Sequence, residues 1–366
     1  MNESIILGIE SSCDDTSAAI IRGNKILSNI AANQEIHKEY GGVVPELASR
    51  AHQQNIIPVV EKAFSQANIQ QNEIRAIGFT RGPGLLGSLL VGTSFAKSLA
   101  MSLNVPLIEV NHLQAHILAH FIEDANPKPP KFPFLCLTVS GGHTMIVLVK
   151  DFFDMEIIGK TIDDAAGEAF DKIGKIFKLD YPAGPIIDKL AKEGNSETFC
   201  FSKPKLENYD YSFSGIKTSV LYFIQKETVK NPNFVKENLN SLCASVQKSI
   251  VEILLDKLEK AAKDLNIKEV SIAGGVSANS GLRKAMETNK EKFGWNVYIP
   301  KFEYTTDNAA MIAMVAKLKY ERNEFTDLRT TATAKLKFDN RPKEINDENN
   351  EQVLILTKNE PEKSKE

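Results

Sequence analysis

Phe134-Leu-Cys-Leu-Thr-Val-Ser-Gly-Gly-His-Thr-Met-Ile-Val-Leu-Val149 reads as two short apolar strands, 134–139 and 143–149, joined at Ser140-Gly-Gly. A counterpart lies near the start of the chain. Residues 5–9 and 17–21 are strand-like and flank Glu10-Ser-Ser-Cys-Asp-Asp-Thr16. A third strand follows each pair, over 25–30 and over 155–160. Working outward, the first half continues with a helix over 45–67, a strand over 75–80 and a helix near 88–101. A strand over 105–110 then leads into a helix from about His112. The second half continues with helices over 163–177, 214–228 and 234–265, a strand over 270–273 and a helix from about Ser280. A strand over 296–299 and a helix over 307–319 close it. The same order occurring twice predicts a duplicated α/β architecture, each half a mixed sheet with helices on its faces.

The 366 residues leave room for two domains of ordinary size, and 42% hydrophobic with 25% charged residues is the balance of a globular protein. A net charge of −3 provides no global basic field, so any RNA-binding surface is expected to be a local patch or a partner's. Cys13, Cys136, Cys200 and Cys243 lie far apart without a CxxC pair. That spacing argues against a zinc ribbon or a disulfide scaffold and fits a reducing cytoplasm. The opening Met-Asn-Glu-Ser lacks the features of a signal peptide. The most apolar stretch, 84–100, carries three glycines and Lys97 and reads as too short and interrupted to span a bilayer, which takes about 20 apolar residues. From 341 to 366 the chain is charged and rich in Glu, Lys and Asn, which predicts a disordered tail outside the fold.

Several motifs are candidates for chemistry. His112-Leu-Gln-Ala-His116 opens a helix, and a spacing of four puts both imidazoles on one face. That is the geometry a divalent metal needs from two His ligands, and equally that of two surface or capping histidines. His120, one turn further, reads as structural. Asp307, in Thr305-Thr-Asp-Asn-Ala-Ala, is the strongest third ligand, although at a helix start an Asp is ordinarily a cap. Two His and one carboxylate would leave coordination positions open, as Fe(II) sites do and catalytic zinc sites can. Thr138-Val-Ser-Gly-Gly-His-Thr144 reads as a plain hairpin turn or as an anion-binding nest of backbone N–H groups. In the first half the equivalent turn holds Glu10, Asp14 and Asp15, which suit a metal, a general base or ordinary turn hydrogen bonds. Ser271-Ile-Ala-Gly-Gly-Val-Ser-Ala-Asn279 runs from a strand into a helix at the edge where α/β sheets bind ligands, and it matches neither the P-loop nor GxGxxG. In the helix Asp163-Asp-Ala-Ala-Gly-Glu-Ala-Phe-Asp171 and the rigid turn Tyr181-Pro-Ala-Gly-Pro185 small residues suit close packing or a bound ligand, with Asp171 or Asp188 placed for ribose hydroxyls. Arg81, in Arg81-Gly-Pro-Gly84, reads as a phosphate contact or a solvated side chain.

Taken in order, these segments resemble one family. They include Gly8-Ile-Glu-Ser-Ser-Cys-Asp-Asp-Thr16, Gly41-Gly-Val-Val-Pro-Glu-Leu-Ala-Ser-Arg50, the His112/His116 pair, Val139-Ser-Gly-Gly-His143, Tyr211-Ser-Phe-Ser-Gly-Ile-Lys217, Gly274-Gly-Val-Ser-Ala-Asn279 and Thr306-Asp-Asn-Ala-Ala310. Over roughly residues 5–335 the chain is similar to the tRNA N6-adenosine threonylcarbamoyltransferases of bacterial or organellar type. The resemblance implies the ribonuclease-H-like, actin-like ATPase fold, with two lobes around a central cleft. Lobe I would take 1–115 plus about 305–340, and lobe II 116–304. It implies a divalent metal, Fe(2+) or alternatively Zn(2+), on His112, His116 and Asp307. It implies that Thr138, Val139, Ser140, Gly141, Gly142, Asp171, Gly184, Asp188 and Asn279 contact threonylcarbamoyl-AMP. Asp14 and Asp15 are the candidate catalytic acids. The family usually has Glu where this chain has Asp15, which is one methylene shorter. Ser277 and Thr305 stand where it often has Ala and Cys.

The expected reaction moves the threonylcarbamoyl group from threonylcarbamoyl-AMP to N6 of adenosine 37 in tRNAs reading codons that begin with A. Expected partners are tRNA, a paralogous actin-like subunit and a small P-loop ATPase, in the cytoplasm and without a membrane. A zincin-type protease is disfavoured, because the position after the first His is Leu113 and not Glu. A small-molecule kinase or a non-catalytic scaffold are the remaining readings, since fold alone does not decide function.

Overall fold

The structure is a computed structural model that describes residues 3–34 and 36–338. The tail expected over 341–366 lies outside the described residues. The first half comprises β1 (Ile5–Glu10), β2 (Thr16–Arg22), β3 (Lys25–Ala32), α1 (His37–Tyr40), α2 (Pro45–Ala67), β4 (Ala76–Gly82), α3 (Leu86–Leu103), β5 (Leu107–Asn111) and α4 (His112–Leu118). The second half comprises β6 (Phe134–Val139), β7 (Thr144–Asp151), β8 (Asp154–Lys160), α5 (Ala166–Ile176), α6 (Ala183–Ala191), α7 (Ser214–Lys230), α8 (Phe234–Asp264), β9 (Glu269–Ala273), α9 (Ser280–Phe293), β10 (Asn296–Tyr298) and α10 (Ala309–Glu321).

The duplication is carried into the sheets. One has the strand order β3-β2-β1-β4-β5, the other β8-β7-β6-β9-β10, which is the same order in the second half's own strands. In each, the first three strands form an antiparallel meander and the last two join in parallel. β1 and β6 are buried along their whole lengths, as central strands covered on both faces must be.

Three apolar cores stack between these layers. α2 and α3 cover the outer face of the first sheet. α5 to α9 cover the outer face of the second. Between the two sheets lie α4 and α10. The placement is crossed: α10, the last helix of the second half, seats on the first sheet, while α4, the last helix of the first half, touches β6 and β9. Small residues make this possible. A Cβ on Gly8 would stand 2.5 Å from the Ala313 backbone nitrogen, and one on Gly78 would stand 2.3 Å from the Ala316 Cβ. Helix and sheet backbones therefore touch almost directly.

Local signals account for most boundaries. Pro45 occupies the first turn of α2, where its missing N–H costs nothing, and Asn68 ends the helix in the left-handed region at φ 51°. Asn104 ends α3 in the same way, at φ 52°. Three expectations need correction. Leu86–Leu103 is an 18-residue helix with mean hydropathy 1.3, so by length and composition alone it could cross a bilayer, contrary to the sequence reading. In the molecule it packs along α2 and over β4. The helix expected from residue 163 begins at Ala166, because Asp163 accepts from the Phe213 N–H (2.7 Å) and the Ser214 hydroxyl (2.7 Å) at the start of α7. The stretch read as a rigid turn at 181–185 opens α6 at Ala183.

Candidate metal and nucleotide site

α4 begins at once after β5 because the Asn111 side chain accepts from the backbone N–H of Leu113 (3.0 Å) and Gln114 (3.3 Å). That cap puts His112 on the first helical position and His116 one turn on, as the spacing predicts. The rings stand edge to face, centroids 4.8 Å apart. Asp307 comes to them from just before α10. It is not the cap of that helix: the Asn308 side chain accepts from the Met311 N–H (3.1 Å), which leaves the neighbouring carboxylate free for the histidines. Asp307 Oδ1 is 3.1 Å from His116 Nε2 and 3.4 Å from His112 Nε2. One donor atom from each of the three lies within 4.8 Å of the others, the only such group among the described residues.

Behind the site stands Glu10, the last residue of β1, fully buried. Its Oε2 lies 3.0 Å from His112 Nδ1 and accepts from the Thr80 hydroxyl at 2.6 Å. Its Oε1 accepts from the Ser12 N–H at 2.5 Å. With Nδ1–H given to Glu10, His112 turns the lone pair of Nε2 toward His116 and Asp307. A carboxylate behind a ligating imidazole is how proteins fix its tautomer and raise its basicity. The donor set and its backing therefore fit a divalent cation. His116 differs, since its buried Nδ1 has no hydrogen-bond partner among the described residues.

These groups perturb one another strongly. Burial by itself lowers a histidine, but the Asp307 and Glu10 carboxylates outweigh it and hold His112 well above its ordinary value. Burial would raise Asp307 and Glu10, yet the His112 ring holds both below the usual carboxylate range. A proton on His112 thus occupies the electrostatic place of a cation. His143 is pushed down by burial and then by His112 and His116. Asp15 is pushed up to about 7, first by burial and then by the charges of Asp14, Asp307 and Glu10. His120 is confirmed as structural: its Nε2 donates to the Ile272 carbonyl (3.0 Å), its Nδ1 faces Asn126 (3.0 Å), and burial lowers it to about 4.

The glycine turn between β6 and β7 is partly self-satisfied. The Ser140 N–H donates to the His143 carbonyl (2.8 Å) and the Ser140 hydroxyl accepts from the His143 N–H (3.1 Å). The Ser140 amide is therefore spent within the turn, which leaves Gly141 and Gly142 as the open backbone, where an added Cβ meets nothing within 4 Å. Thr138 and Val139 are buried in β6. Asp171 accepts from the Ala183 N–H (2.8 Å) at the start of α6, which Gly184 also forms. Asp188 accepts from the N–H (2.9 Å) and hydroxyl (2.7 Å) of Ser280 at the start of α9. The Asn279 side chain caps α9 through the Leu282 N–H (3.0 Å) and donates to Gln247 (2.8 Å). These three polar groups order the helix starts around the turn. Arg81 neither meets open solvent alone nor waits for a phosphate: it pairs with Glu109 at 2.7 Å. The hydroxyl of Ser277 is buried without a partner among the described residues.

Sequence reasoning gave Glu10 no separate role among the acids of its turn and passed over Thr80 and His143. No local pattern distinguishes Glu10 from Asp14 or Asp15. Only its place as the last residue of a buried strand sets it apart.

Comparison with known proteins identifies a family. A family model described as tRNA N6-adenosine threonylcarbamoyltransferase matches residues 25–314. A protein of that name from Riemerella anatipestifer is 82% identical over 335 residues, covering 92% of this chain and 98% of its own. Another, from Christiangramia forsetii, is 61% identical over 333 residues, covering 91% of this chain and 98% of its own. Among solved structures, full-length HypF in the phosphate- and nucleotide-bound form aligns with a TM-score of 0.59 at 14% identity, over 89% of this chain and 48% of that one. That is a likeness of fold alone, and with the duplicated strand order it gives the chain the two-lobed actin-like fold.

Proposed function

Because the chain belongs to the tRNA N6-adenosine threonylcarbamoyltransferase family, we propose that it takes the threonylcarbamoyl group from threonylcarbamoyl-AMP and places it on N6 of adenosine 37 of tRNAs reading codons that begin with A. The observation that carries this reading is the convergence of His112, His116 and Asp307, backed by Glu10.

In this proposal the donor is a mixed anhydride with AMP as leaving group. The N6 amine attacks the carbamoyl carbon, the bond to the AMP phosphate oxygen breaks, and a proton leaves N6. Adenosine 37 lies in a loop, where an unpaired base can be splayed into a pocket. Asp15 is the base of the proposal, with Asp14 beside it. A carboxylate poised near neutrality can both take and release a proton at working pH. Being one methylene shorter than Glu, it reaches N6 through a water. The open amides of Gly141 and Gly142 face the phosphate side of the leaving AMP. Thr138, Val139 and Ser140 shape the floor of that turn. Asp171 of α5, Gly184 and Asp188 of α6, and Asn279 at the start of α9 line the nucleotide side in this proposal. His112, His116 and Asp307 would hold a divalent metal, Fe(2+) or alternatively Zn(2+), which when bound supplies a Lewis acid that orients the donor and polarises an oxygen.

The lobes of the proposal are 1–115 with 305–340, and 116–304, meeting where α4 and α10 cross. We assign the exposed apolar residues Leu86, Leu90 and Met101 of α3, with Ile57 of α2, to a paralogous actin-like subunit. With a net charge of −3, that subunit and a small P-loop ATPase are expected to help hold the tRNA in the cytoplasm.

The test is reconstitution. The chain is incubated with unmodified tRNA, ATP, threonine, bicarbonate, the partner subunits and the enzyme that makes the donor. The tRNA is then digested and its nucleosides read by mass spectrometry. Threonylcarbamoyl-adenosine that requires this chain is expected. Its absence, with an orthologue active in the same mixture, would overturn the reading.

A further inference from the structure

The turn that carries Asp14 and Asp15 has no regular hydrogen-bonded structure of its own, so something outside it must hold the acids in place. On one side, the Leu85 N–H donates to the Ser12 carbonyl at 2.7 Å. On the other side stands His52, on the second turn of α2 and fully buried. Its Nε2 is 3.0 Å from the Cys13 carbonyl oxygen, and its Nδ1 is 2.7 Å from the Thr16 hydroxyl. A carbonyl only accepts, so Nε2 carries the hydrogen. In the neutral ring Nδ1 then accepts from the Thr16 hydroxyl. The two contacts fall on residues 13 and 16, and Asp14 and Asp15 are the two residues between them.

We infer that His52 is a positioning residue for the transfer reaction, a neutral imidazole that clamps both ends of the acidic turn to α2 and so sets where Asp14 and Asp15 point. The inference rests on reading those two acids as the reaction's acid–base groups. Burial keeps His52 below its ordinary value, which favours the neutral ring. The ring contacts none of His112, His116 and Asp307, so its role is separable from metal binding. A histidine that merely filled the core would need no particular hydrogen-bonding pattern on either nitrogen.

The test compares His52→Gln with His52→Leu in the complete reconstituted system. The Gln carboxamide offers an N–H to Cys13 and an oxygen to Thr16, whereas Leu fills the space and offers neither. A misplacement of about 1 Å at a reacting group can cost about a hundredfold, and that is the loss of kcat expected of His52→Leu, with KM for tRNA and affinity for the metal little changed. His52→Gln is expected to recover most of kcat. Thr16→Val, which keeps its volume, is expected to lower kcat in the same direction and to add nothing to His52→Leu; it carries the test if His52→Leu does not fold. Undiminished kcat in His52→Leu or Thr16→Val would overturn the inference, as would equal loss in the Gln and Leu variants at equal Tm. Asp14→Asn and Asp15→Asn run alongside. If both keep full turnover, the reading of the acidic turn falls and this inference with it. If they lose turnover and His52→Leu does not, this inference alone falls.

Discussion

Glu10 shows how a single buried side chain tunes a site from behind. Carboxylate partners of ligating histidines typically change metal affinity by about 10–100-fold when mutated. Glu10→Gln is therefore expected to weaken metal binding by about that factor while leaving His112, His116 and Asp307 in place, as competition with a chromogenic chelator would show. The same carboxylates predict a pH dependence. In the metal-free protein His112 is held protonated above its unfolded value, so the stability this adds is full below about 6.5 and disappears as pH rises through the folded value. A metal must displace that proton. Affinity should thus rise about tenfold per pH unit while His112 remains protonated, and flatten once it is neutral. Titrations of metal into the metal-free protein between pH 6 and pH 8 check the slope, and an affinity that falls with pH would contradict the charge state assigned to His112. Some of this scale was legible from the sequence. The His pair at a spacing of four came from helix periodicity alone, whereas Asp307 looked like a cap until Asn308 proved to occupy that place.

At the scale of elements, α10 decides how the site is assembled. Its run Ala309-Ala-Met-Ile-Ala-Met-Val-Ala316 presents small side chains to β1 and β4, and Gly8 and Gly78 answer with no side chain at all. Replacing Gly78 by Ala would put a methyl group 2.3 Å from the Ala316 Cβ, so the helix must shift. Overpacking of this kind costs about 1–3 kcal/mol. Gly78→Ala is expected to lower stability by that amount in denaturant titrations. It should also weaken metal binding, because Asp307 moves with the helix. A variant as stable as the parent would show that the contact yields easily. The extents of α2 and β6 follow from apolar periodicity and from Pro45, and the sequence reading places both correctly. The starts of α5 and α6 do not follow, because Asp163 and Asp171 form their decisive hydrogen bonds to distant backbone, at Phe213 and Ala183.

Over the whole molecule, two copies of one strand order enclose a shared layer of two helices, with the candidate site where those helices meet. The outward face of α3 belongs to this scale as well. Leu86 and Leu90 are about half exposed and Met101 is 65% exposed. A charge there, as in Leu90→Glu, is expected to weaken association with the paralogous subunit, read by analytical ultracentrifugation, while metal content and Tm stay unchanged. Unaltered association would remove the assignment of that face. The sequence by itself determined the order of elements, the duplication and the family. All three are properties of the chain read in one dimension, carried by periodicity, turn residues and motifs in sequence. Tertiary structure alone decided which groups become one site. His112 and Glu10 are 102 residues apart and His116 and Asp307 are 191 apart, and they meet because α10 seats on the first sheet while α4 bridges both sheets in the layer between them. The physical reason is that hydrophobic periodicity says that a face will be buried without saying against what; the partner is selected by complementary shape, here glycine against alanine, and the charges that shape brings together then set one another's protonation.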